Sequence, residues 1–252
     1  MDTRLVKTYR TTQHWDHWLT QFLGKSLLEA EQRFLQSLLA DQYGKHALLI
    51  GVPRQYGLLQ SSVISHHIVL SPLLNRHIPV QCIESEFDEL PVAAASVDLV
   101  LLPHTLEYIN NPHHLLAEAC RVVKPEGHII IVGFNPWSLW GLKRYLTKNK
   151  STVWPERFIS ANTVQKWLEL ADFKLVKKNK MLFRPPLHHH RLYKKLEFLE
   201  WLGQKCFLPF GGVYILTAKA KVIPLTPIKL RWKQPLPALR VTIPGSTMRR
   251  SS

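Results

Sequence analysis

From residue 46 onward, short apolar runs alternate with longer amphipathic stretches. The runs are four to six residues long and lie at 47–50, 67–70, 80–83, 97–102 and 129–134. Runs of this length with little polar alternation are typical of strands that are covered on both faces. Two further strands are predicted at 174–177 and 213–219. The alternation predicts βαβ units and an α/β fold with a doubly wound, mostly parallel sheet.

The stretches between the runs carry helical spacing and helix-start residues. Apolar side chains recur at steps of three and four in residues 12–41, which predicts an N-terminal helix. Asn111, which precedes a proline, and Ser160 are predicted N-caps of two later helices. The KPEG segment at 124–127 is expected to end a helix and to turn the chain at Gly127.

Basic residues are concentrated in the C-terminal part of the chain. The formal net charge is +15; residues 1–140 carry 10 Lys and Arg against 13 Asp and Glu, whereas residues 141–252 carry 23 against 5. This asymmetry favours an anionic partner for the C-terminal part, either nucleic acid or an anionic membrane surface. Residues 221–252 contain five prolines and seven basic residues but no acidic residue, so we expect an extended or disordered tail.

The sequence gives no sign of a metal site or of a disulfide framework. Cys82, Cys120 and Cys206 lie far apart without CxxC spacing. The run His188–His190 is interpreted as a solvated tract, because adjacent side chains point in different directions and rarely share one ion. We find no signal peptide and no apolar run of the ~18 residues that a membrane span needs. We therefore expect a cytoplasmic protein with no transmembrane segment and no metal.

One stretch carries a specific family pattern. Residues 84–141 read ESEFDELPVAAASVDLVLLPHTLEYINNPHHLLAEACRVVKPEGHIIIVGFNPWSLWG. An acidic residue four positions before Leu-Pro is followed by the strand SVDLVL, the segment HTLE and the helix-and-turn LAEACRVVKPEG. This stretch resembles the middle of class I S-adenosylmethionine-dependent methyltransferases, in the type 11 branch. The likeness extends over roughly residues 44–220.

The resemblance implies a seven-stranded sheet whose last strand is inserted antiparallel. Ligands of such sheets bind beyond the carboxyl ends of the strands, where the winding reverses, and the implied cofactor is S-adenosyl-L-methionine. The expected domains are an N-terminal helical lid at 1–43, a methyltransferase-like domain at 44–220 with a helical insertion at about 186–207, and a basic C-terminal tail at 221–252.

The loop after the first strand departs from the family pattern. Gly51 keeps the first of three expected glycines, but Leu49 replaces an acid, and Pro53 and Gln55 stand at the second and third glycine positions. Glycines serve there because the cofactor approaches the backbone closely. The acid that binds the ribose hydroxyls in the family falls on Val69, which cannot accept hydrogen bonds. The loop is therefore a degenerate form of the family's cofactor loop.

Other cofactor contacts follow from the resemblance by position. Glu86 falls where the family places an acid for the adenine amino group, and Phe87 falls against the ring; the alternative is a solvated acidic run. His104 and Leu106 border the methyl-donor end of the crevice and, with Gly51, complete the expected cofactor-binding set. A histidine titrates near neutrality, so His104 could accept a proton from a substrate as a catalytic residue. The alternative is a hydrogen-bonded structural histidine.

Asn135, Trp137 and Trp140 follow the fifth predicted strand, where the substrate side of the family opens. They are expected to line a flat, apolar substrate pocket, with clamping of the N-terminal helix as the alternative. Asp98, at the start of the fourth strand, is expected to be structural.

Two functions are consistent with these residues. The first is methyl transfer by in-line displacement from S-adenosylmethionine to an unknown acceptor, a small molecule or RNA, in which the protein positions the reactants and excludes water. The second is a catalytically decayed methyltransferase fold that binds nucleic acid or an anionic membrane through its basic C-terminal part.

Overall fold

The computed structural model describes residues 3–73, 79–146, 157–186 and 210–221, with side chains from residue 8 onward. The helices are α1 (Thr3–Trp18), α2 (Phe22–Leu39), α3 (Thr105–Tyr108), α4 (Pro112–Val122), α5 (Leu139–Leu146) and α6 (Ala161–Leu170). The strands are β1 (His46–Ile50), β2 (His66–Ser71), β3 (Gln81–Glu84), β4 (Val97–Pro103), β5 (Val123–Phe134), β6 (Phe173–Met181) and β7 (Val213–Ala220). A 3₁₀ helix spans Pro53–Leu59.

The strands form one seven-stranded sheet in the order β3-β2-β1-β4-β5-β7-β6. Neighbouring strands are parallel from β3 to β5, whereas β7 runs antiparallel to both β5 and β6. The strand order proceeds outward from β1 to β3 and then reverses to β4 on the other side of β1. The predicted α/β fold, with a doubly wound sheet and an inserted antiparallel strand, is confirmed.

Residues 12–41 were predicted to be helical, and most of this segment is helical in the structure. Two helices occupy it, because α1 ends at Trp18 and α2 begins at Phe22. The first turn of α2 lies close to the end of α1: a Cβ placed on Gly24 would lie 2.4 Å from the carbonyl oxygen of Trp18. Only glycine permits so close an approach of one helix to the end of the other.

Two local predictions at chain turns also need correction. The helix α4 does end at Val122, just before residues 124–127, but these residues lie inside β5, and the left-handed residue is Glu126, with φ of 66°, rather than Gly127. Asn111 makes no side-chain capping hydrogen bond. Ser160 does cap α6, because its Oγ accepts a hydrogen bond from Thr163 N at 3.2 Å.

The N-terminal helices share the core of the sheet domain. Trp15 of α1 and Leu23, Leu27 and Leu35 of α2 are at most 2% exposed and belong to the same cluster of buried side chains as the strand residues. Full burial of one leucine contributes roughly 1.5–3 kcal/mol. The N-terminal helices therefore contribute to the stability of the domain.

Asp98 connects three strands at the edge opposite the carboxyl ends. Its Oδ2 accepts hydrogen bonds from Lys45 N at 2.9 Å and His46 N at 3.0 Å, and Lys124 Nζ lies 2.9 Å from its Oδ1. Burial alone would raise the pKa of Asp98, but the hydrogen bonds from Lys124 and from the two amides lower it overall. These contacts join the starts of β1, β4 and β5, as a structural role requires.

Candidate functional site

A cavity of about 600 Å³ opens at the carboxyl edge of the parallel strands. It lies beyond β2 and β3, beside the reversal of strand order between β1 and β4 where open α/β sheets bind ligands. Its volume falls within the range of small-molecule sites. The lining residues come from α1, from the segments after β2 and β3, and from the loop and helix after α3: Thr8, Tyr9, Pro72, Glu84, Ser85, Glu86, Phe87, Asp88, Glu89, Ile109, Asn110, Asn111 and His114.

The segment after β3 gives this cavity both carboxylates and an aromatic ring. Its acidic side chains are exposed: Glu84, Glu86, Asp88 and Glu89. Phe87 lies between them in sequence but is buried, with its ring 6.2 Å from that of Tyr108. Glu86 and Phe87 thus both line the cavity, while their assignment to adenine stays a prediction.

A bidentate ion pair on α4 holds the end of this acidic segment. Arg121 donates to Glu118 from Nε at 2.9 Å and from Nη2 at 2.8 Å. Its guanidinium also donates to the carbonyl oxygens of Leu90 and Val92, and Leu90 N donates to Glu118. The hydrogen bonds from Arg121 lower the pKa of Glu118. The cavity wall is therefore anchored to α4 without the use of its own carboxylates.

The degenerate loop is filled by its own side chain, Gln55. The Oε1 atom of Gln55 accepts a hydrogen bond from Val52 N at 3.0 Å, and its Nε2 donates to Pro103 O, at the end of β4, at 3.1 Å. Gln55 is fully buried, and a Cβ added to Gly51 would lie 2.6 Å from its Oε1. The missing side chain of Gly51 therefore makes room for the Gln55 carboxamide in this arrangement.

Two further hydrogen bonds connect the region of this loop to neighbouring helices. Arg54 Nε donates to Asp16 Oδ2 of α1 at 2.8 Å, which ties the 3₁₀ helix to the N-terminal helix. Thr105 Oγ1 donates to Ile50 O, the last residue of β1, at 2.5 Å. Gly51 and Gln55 do not line the cavity beyond β3. The space next to Gly51 is thus occupied by the Gln55 side chain, whereas the cavity beyond β2 and β3 is open.

His104 lies in a buried cluster with two carboxylates. Its Nε2 is 2.6 Å from Glu31 Oε1 on α2, and its Nδ1 is 3.1 Å from Glu107 Oε2 on α3. The other oxygen of Glu107 accepts a hydrogen bond from Phe134 N at 2.5 Å. His104 and Glu31 are fully buried and Glu107 is 2% exposed. The Trp15 ring packs beside the imidazole, with centroids 5.5 Å apart.

The charges of this cluster follow from its contacts. Burial alone would lower the pKa of His104, but the charge of Glu31 and the hydrogen bonds with both carboxylates raise it to about 9. Burial raises the pKa of Glu107, against the hydrogen bonds from His104 and Phe134. Because two N–H groups donate to Glu107, we assign it the ionised form beside an imidazolium. The role of His104 as a proton acceptor stays a prediction, and neither ring nitrogen is free for a substrate here.

The three residues expected on the substrate side have different surroundings. Asn135 is buried and donates from Nδ2 to Gly211 O at 3.0 Å. Trp140 is also buried, and its Nε1 donates to Arg184 O at 2.9 Å. Trp137 is 77% exposed. Their common role in substrate binding stays a prediction. The exposure of Trp137 favours such a role, whereas the buried side chains of Asn135 and Trp140 already contact backbone carbonyl groups.

Trp137 borders a second cavity, which is apolar and has a volume of about 650 Å³. Its lining residues come from the loop after β5, from α5 and from the segments before α6 and β7: Pro136, Trp137, Ser138, Leu139, Gly141, Leu142, Arg144, Tyr145, Phe158 and Phe210. The guanidinium of Arg144 lies 5.0 Å from the centre of the Phe158 ring. This groove therefore combines exposed aromatic surface with a nearby cation.

Metal and membrane features were sought in the part of the chain that the structure describes. No group of three His, Cys, Asp or Glu side chains suited to an ion occurs there. Among those residues no helix is long and apolar enough to cross a membrane. The predicted tract at 188–190, the insertion at 186–207 beyond residue 186, and the basic tail beyond residue 221 lie outside the described residues.

Sequence reasoning missed the roles of Glu31 and Gln55. Glu31 has a sequence signal, because it stands midway between Leu27 and Leu35 on the stripe of α2 that faces the core. A carboxylate on such a stripe is rarely fully buried without a partner. Gln55 was recognised as a departure from the family's glycine, but only the folded chain brings its carboxamide to Pro103 O.

The comparisons with known proteins agree with the fold. The family model described as "Methyltransferase domain", of the type 11 branch, matches residues 61–131, so the filled loop precedes the match. The uncharacterized protein YafS of Escherichia coli K12 is 30% identical over 239 residues, which cover 92% of this chain and 91% of YafS.

One further relative and one solved structure carry more specific descriptions. The malonyl-[acyl-carrier protein] O-methyltransferase of a Methylovorus species is 30% identical over 89 residues, 35% of this chain and 30% of that protein. The solved structure of a SAM-dependent methyltransferase of Thermotoga maritima, titled a possible histamine N-methyltransferase, is similar in fold with a TM-score of 0.62. It is 18% identical, and the match covers 84% of this chain and 97% of that one.

Proposed function

Because this chain belongs to the class I S-adenosylmethionine-dependent methyltransferases, in the type 11 branch, we propose that it transfers a methyl group from S-adenosylmethionine to an acceptor. The observation that carries the proposal is the cavity of about 600 Å³ beyond β2 and β3, at the carboxyl edge of the family's sheet. A parallel sheet leaves this position free for ligands because the connections to the following helices diverge there.

The adenosyl part of the cofactor fits this cavity. Phe87 supplies an aromatic surface for a planar base, and Glu86 supplies an acceptor for an exocyclic amino group. Asn110 and Asn111, from the segment after α3, add amide groups to the lining. Ligand sites of this kind combine an apolar surface with a few polar groups that fix orientation.

The amino-acid part of the cofactor does not fit the arrangement described. Gln55 occupies the space above Gly51, and Pro53 has no backbone N–H to donate. The acid expected on Leu49 and the acid expected on Val69 are replaced by fully buried aliphatic side chains. Cofactor binding in full therefore requires the Gln55 side chain to move.

The residues of the chain act mainly by positioning and by exclusion of water. The bound cofactor supplies an electrophilic methyl group, and an in-line displacement needs alignment more than it needs a fixed base. Trp15 and Trp18 stack at 4.8 Å and are both 2% exposed, and the Trp15 ring lies 5.5 Å from the imidazole of His104, so these rings keep water from this part of the crevice. The imidazolium of His104 is suited to holding α2 over this edge rather than to accepting a proton.

The apolar groove beside Trp137 is suited to the acceptor. It lies after β5, where the substrate side is expected, and its exposed aromatic side chains match a flat or apolar molecule. The described residues of its lining are mostly apolar and offer few hydrogen-bonding groups, so a small molecule is favoured over RNA.

Isothermal titration of the full chain with S-adenosylmethionine and S-adenosylhomocysteine tests the cofactor site. We expect saturable binding, weakened about tenfold or more in Glu86→Gln, the equivalent of about 1.4 kcal/mol. Glu89→Gln is the matched control, because it removes another exposed carboxylate of the same cavity. Absence of binding at millimolar ligand, by a chain with an intact thermal transition, would falsify the enzyme proposal.

The charge asymmetry supports a second candidate, binding of nucleic acid or an anionic membrane through residues 141–252. Among the described residues, exposed lysines follow the edge strand β6 at positions 174, 177 and 178. Lysines on an edge strand also discourage unwanted strand pairing, which is a sufficient structural reason for them. Band shifts with RNA and DNA at two salt concentrations and vesicle flotation, with and without residues 222–252, test this candidate.

A further inference from the structure

We propose that Gln55 is a specificity-determining residue: its carboxamide imitates the amino-acid end of an adenosyl ligand, so that the crevice prefers adenine nucleosides without that end. The inference rests on the proposed function, since it assumes that the cavity beyond β3 takes an adenosyl group. It concerns which adenosyl ligands bind and how a single side chain decides this.

Gln55 lies along the path that an adenosyl ligand would follow from the cavity into the crevice. The strand order is β3-β2-β1-β4, so a ligand that starts in the cavity beyond β3 and extends along the crevice next meets the loop after β1. At that point the carboxamide of Gln55 fills the space above Gly51. A substituent on the ribose of a bound adenosine would therefore collide with the Gln55 carboxamide.

The carboxamide of Gln55 makes the kind of hydrogen bonds that an amino-acid group can make. Gln55 satisfies one backbone donor, Val52 N, and one backbone acceptor, Pro103 O. A free α-amino acid group presents the same combination, with an accepting carboxylate beside a donating ammonium. The side chain is thus an internal competitor at an effective concentration far above that of a free ligand.

Neighbouring contacts hold the 3₁₀ helix that carries Gln55. Arg54 in the same 3₁₀ helix is held by Asp16 of α1, and Leu58 and Leu59 of that helix are in the core. Release of the carboxamide therefore leaves two buried backbone groups to be satisfied by something else, and an amino-acid group is suited to do so. Ligands without an amino-acid group need no such release.

Binding of three ligands to the full chain tests the proposal: adenosine, 5′-methylthioadenosine and S-adenosylhomocysteine, measured by isothermal titration. For the wild-type chain we expect both nucleosides to bind at least as tightly as S-adenosylhomocysteine. In Gln55→Gly, which restores the family's third glycine, we expect about a tenfold or greater gain for S-adenosylhomocysteine and no gain for adenosine.

Three further variants separate the contributions. Gln55→Met refills the space without the hydrogen bonds and is expected to bind S-adenosylhomocysteine no better than the wild type. Gln60→Ala, at the exposed end of the same 3₁₀ helix, is the matched control and should change nothing. If Gln55→Gly does not fold, Gln55→Ala takes its place. The ratio of the affinities of adenosine and S-adenosylhomocysteine for the wild-type chain tests the proposal without any variant.

The outcomes distinguish this inference from the proposed function. Tight wild-type binding of S-adenosylhomocysteine relative to adenosine, unchanged by Gln55→Gly or Gln55→Ala, overturns the role of Gln55 and leaves the methyltransferase proposal standing. Failure of all three ligands to bind both the folded wild type and the folded variants overturns the two together.

Discussion

The imidazole Nε2 of His104 lies 2.6 Å from the carboxylate Oε1 of Glu31, although the two residues are 73 positions apart in sequence. The contact joins the middle of α2 to the turn after β4, and both side chains are fully buried. His104 itself has a left-handed backbone, with φ of 58°, which costs free energy in a non-glycine residue. The cluster therefore fixes the N-terminal helices to the carboxyl edge of the sheet.

Glu31→Gln should destabilise the fold. The substitution leaves the buried imidazolium with one carboxylate in place of two, and loss of one partner from a buried charge cluster costs on the order of 3 kcal/mol. Urea unfolding followed by tryptophan fluorescence measures the change. Glu29→Gln, an exposed carboxylate of the same helix, is the control; equal stability of the two variants would contradict a charged cluster.

The same cluster predicts a dependence of stability on alkaline pH. The pKa of His104 is raised in the folded chain from 6.5 to about 9. A raised pKa gives stabilisation that is complete below 6.5 and is lost as pH rises through 9. We expect the free energy of unfolding to fall by up to about 3 kcal/mol between pH 6 and pH 10.

His104→Asn is the control for this pH dependence, because asparagine tolerates the left-handed backbone and does not titrate. The slope of stability against pH between neutrality and pH 9 should be shallower in the variant. A wild-type slope equal to that of His104→Asn would show that the imidazole is not charged in the folded state.

Asp98→Ala should destabilise the opposite edge of the sheet. The variant leaves the amides of Lys45 and His46 without their acceptor and removes the ion pair with Lys124, at a cost of about 1–3 kcal/mol. Because the pKa of Asp98 is lowered in the fold, its contribution is present at neutral pH and is lost as pH falls through that pKa. The difference from wild type should thus shrink in acid. Asp41→Ala, at an exposed aspartate, should leave stability unchanged.

Truncation should lower stability strongly at Trp140 and hardly at all at Trp137. Trp140 is 1% exposed and stacks on Phe134 at 5.6 Å, so Trp140→Ala should cost about 3–5 kcal/mol of stability. Trp137→Ala removes an exposed side chain and should change stability by less than about 0.5 kcal/mol. Thermal unfolding compares them; a large loss in Trp137→Ala would mean that this tryptophan is structural rather than available to a ligand.

The fold could be predicted from local pattern to a large extent. The predicted strands overlap every strand of the described sheet, and the apolar runs are clearest in β1, β4 and β7, because strands covered on both faces leave few polar positions. The break between α1 and α2 was missed, since the apolar spacing of Trp15, Trp18 and Phe22 continues across it. The site was predicted less well: Glu86 and Phe87 do line the cavity, whereas Asn135 and Trp140 are buried among backbone partners.

The sequence by itself determined the α/β class, the antiparallel insertion and the family, because periodicity and a dense motif are local properties of the chain. Only the tertiary structure decided that Gln55 fills the loop after β1 and that His104 lies between the carboxyl groups of Glu31 and Glu107. A hydrogen bond or a pKa depends on the atoms within a few ångströms and on the exclusion of water. Two of these neighbours, Glu31 and Pro103, come from segments 73 and 48 positions away, so no spacing along the chain records them.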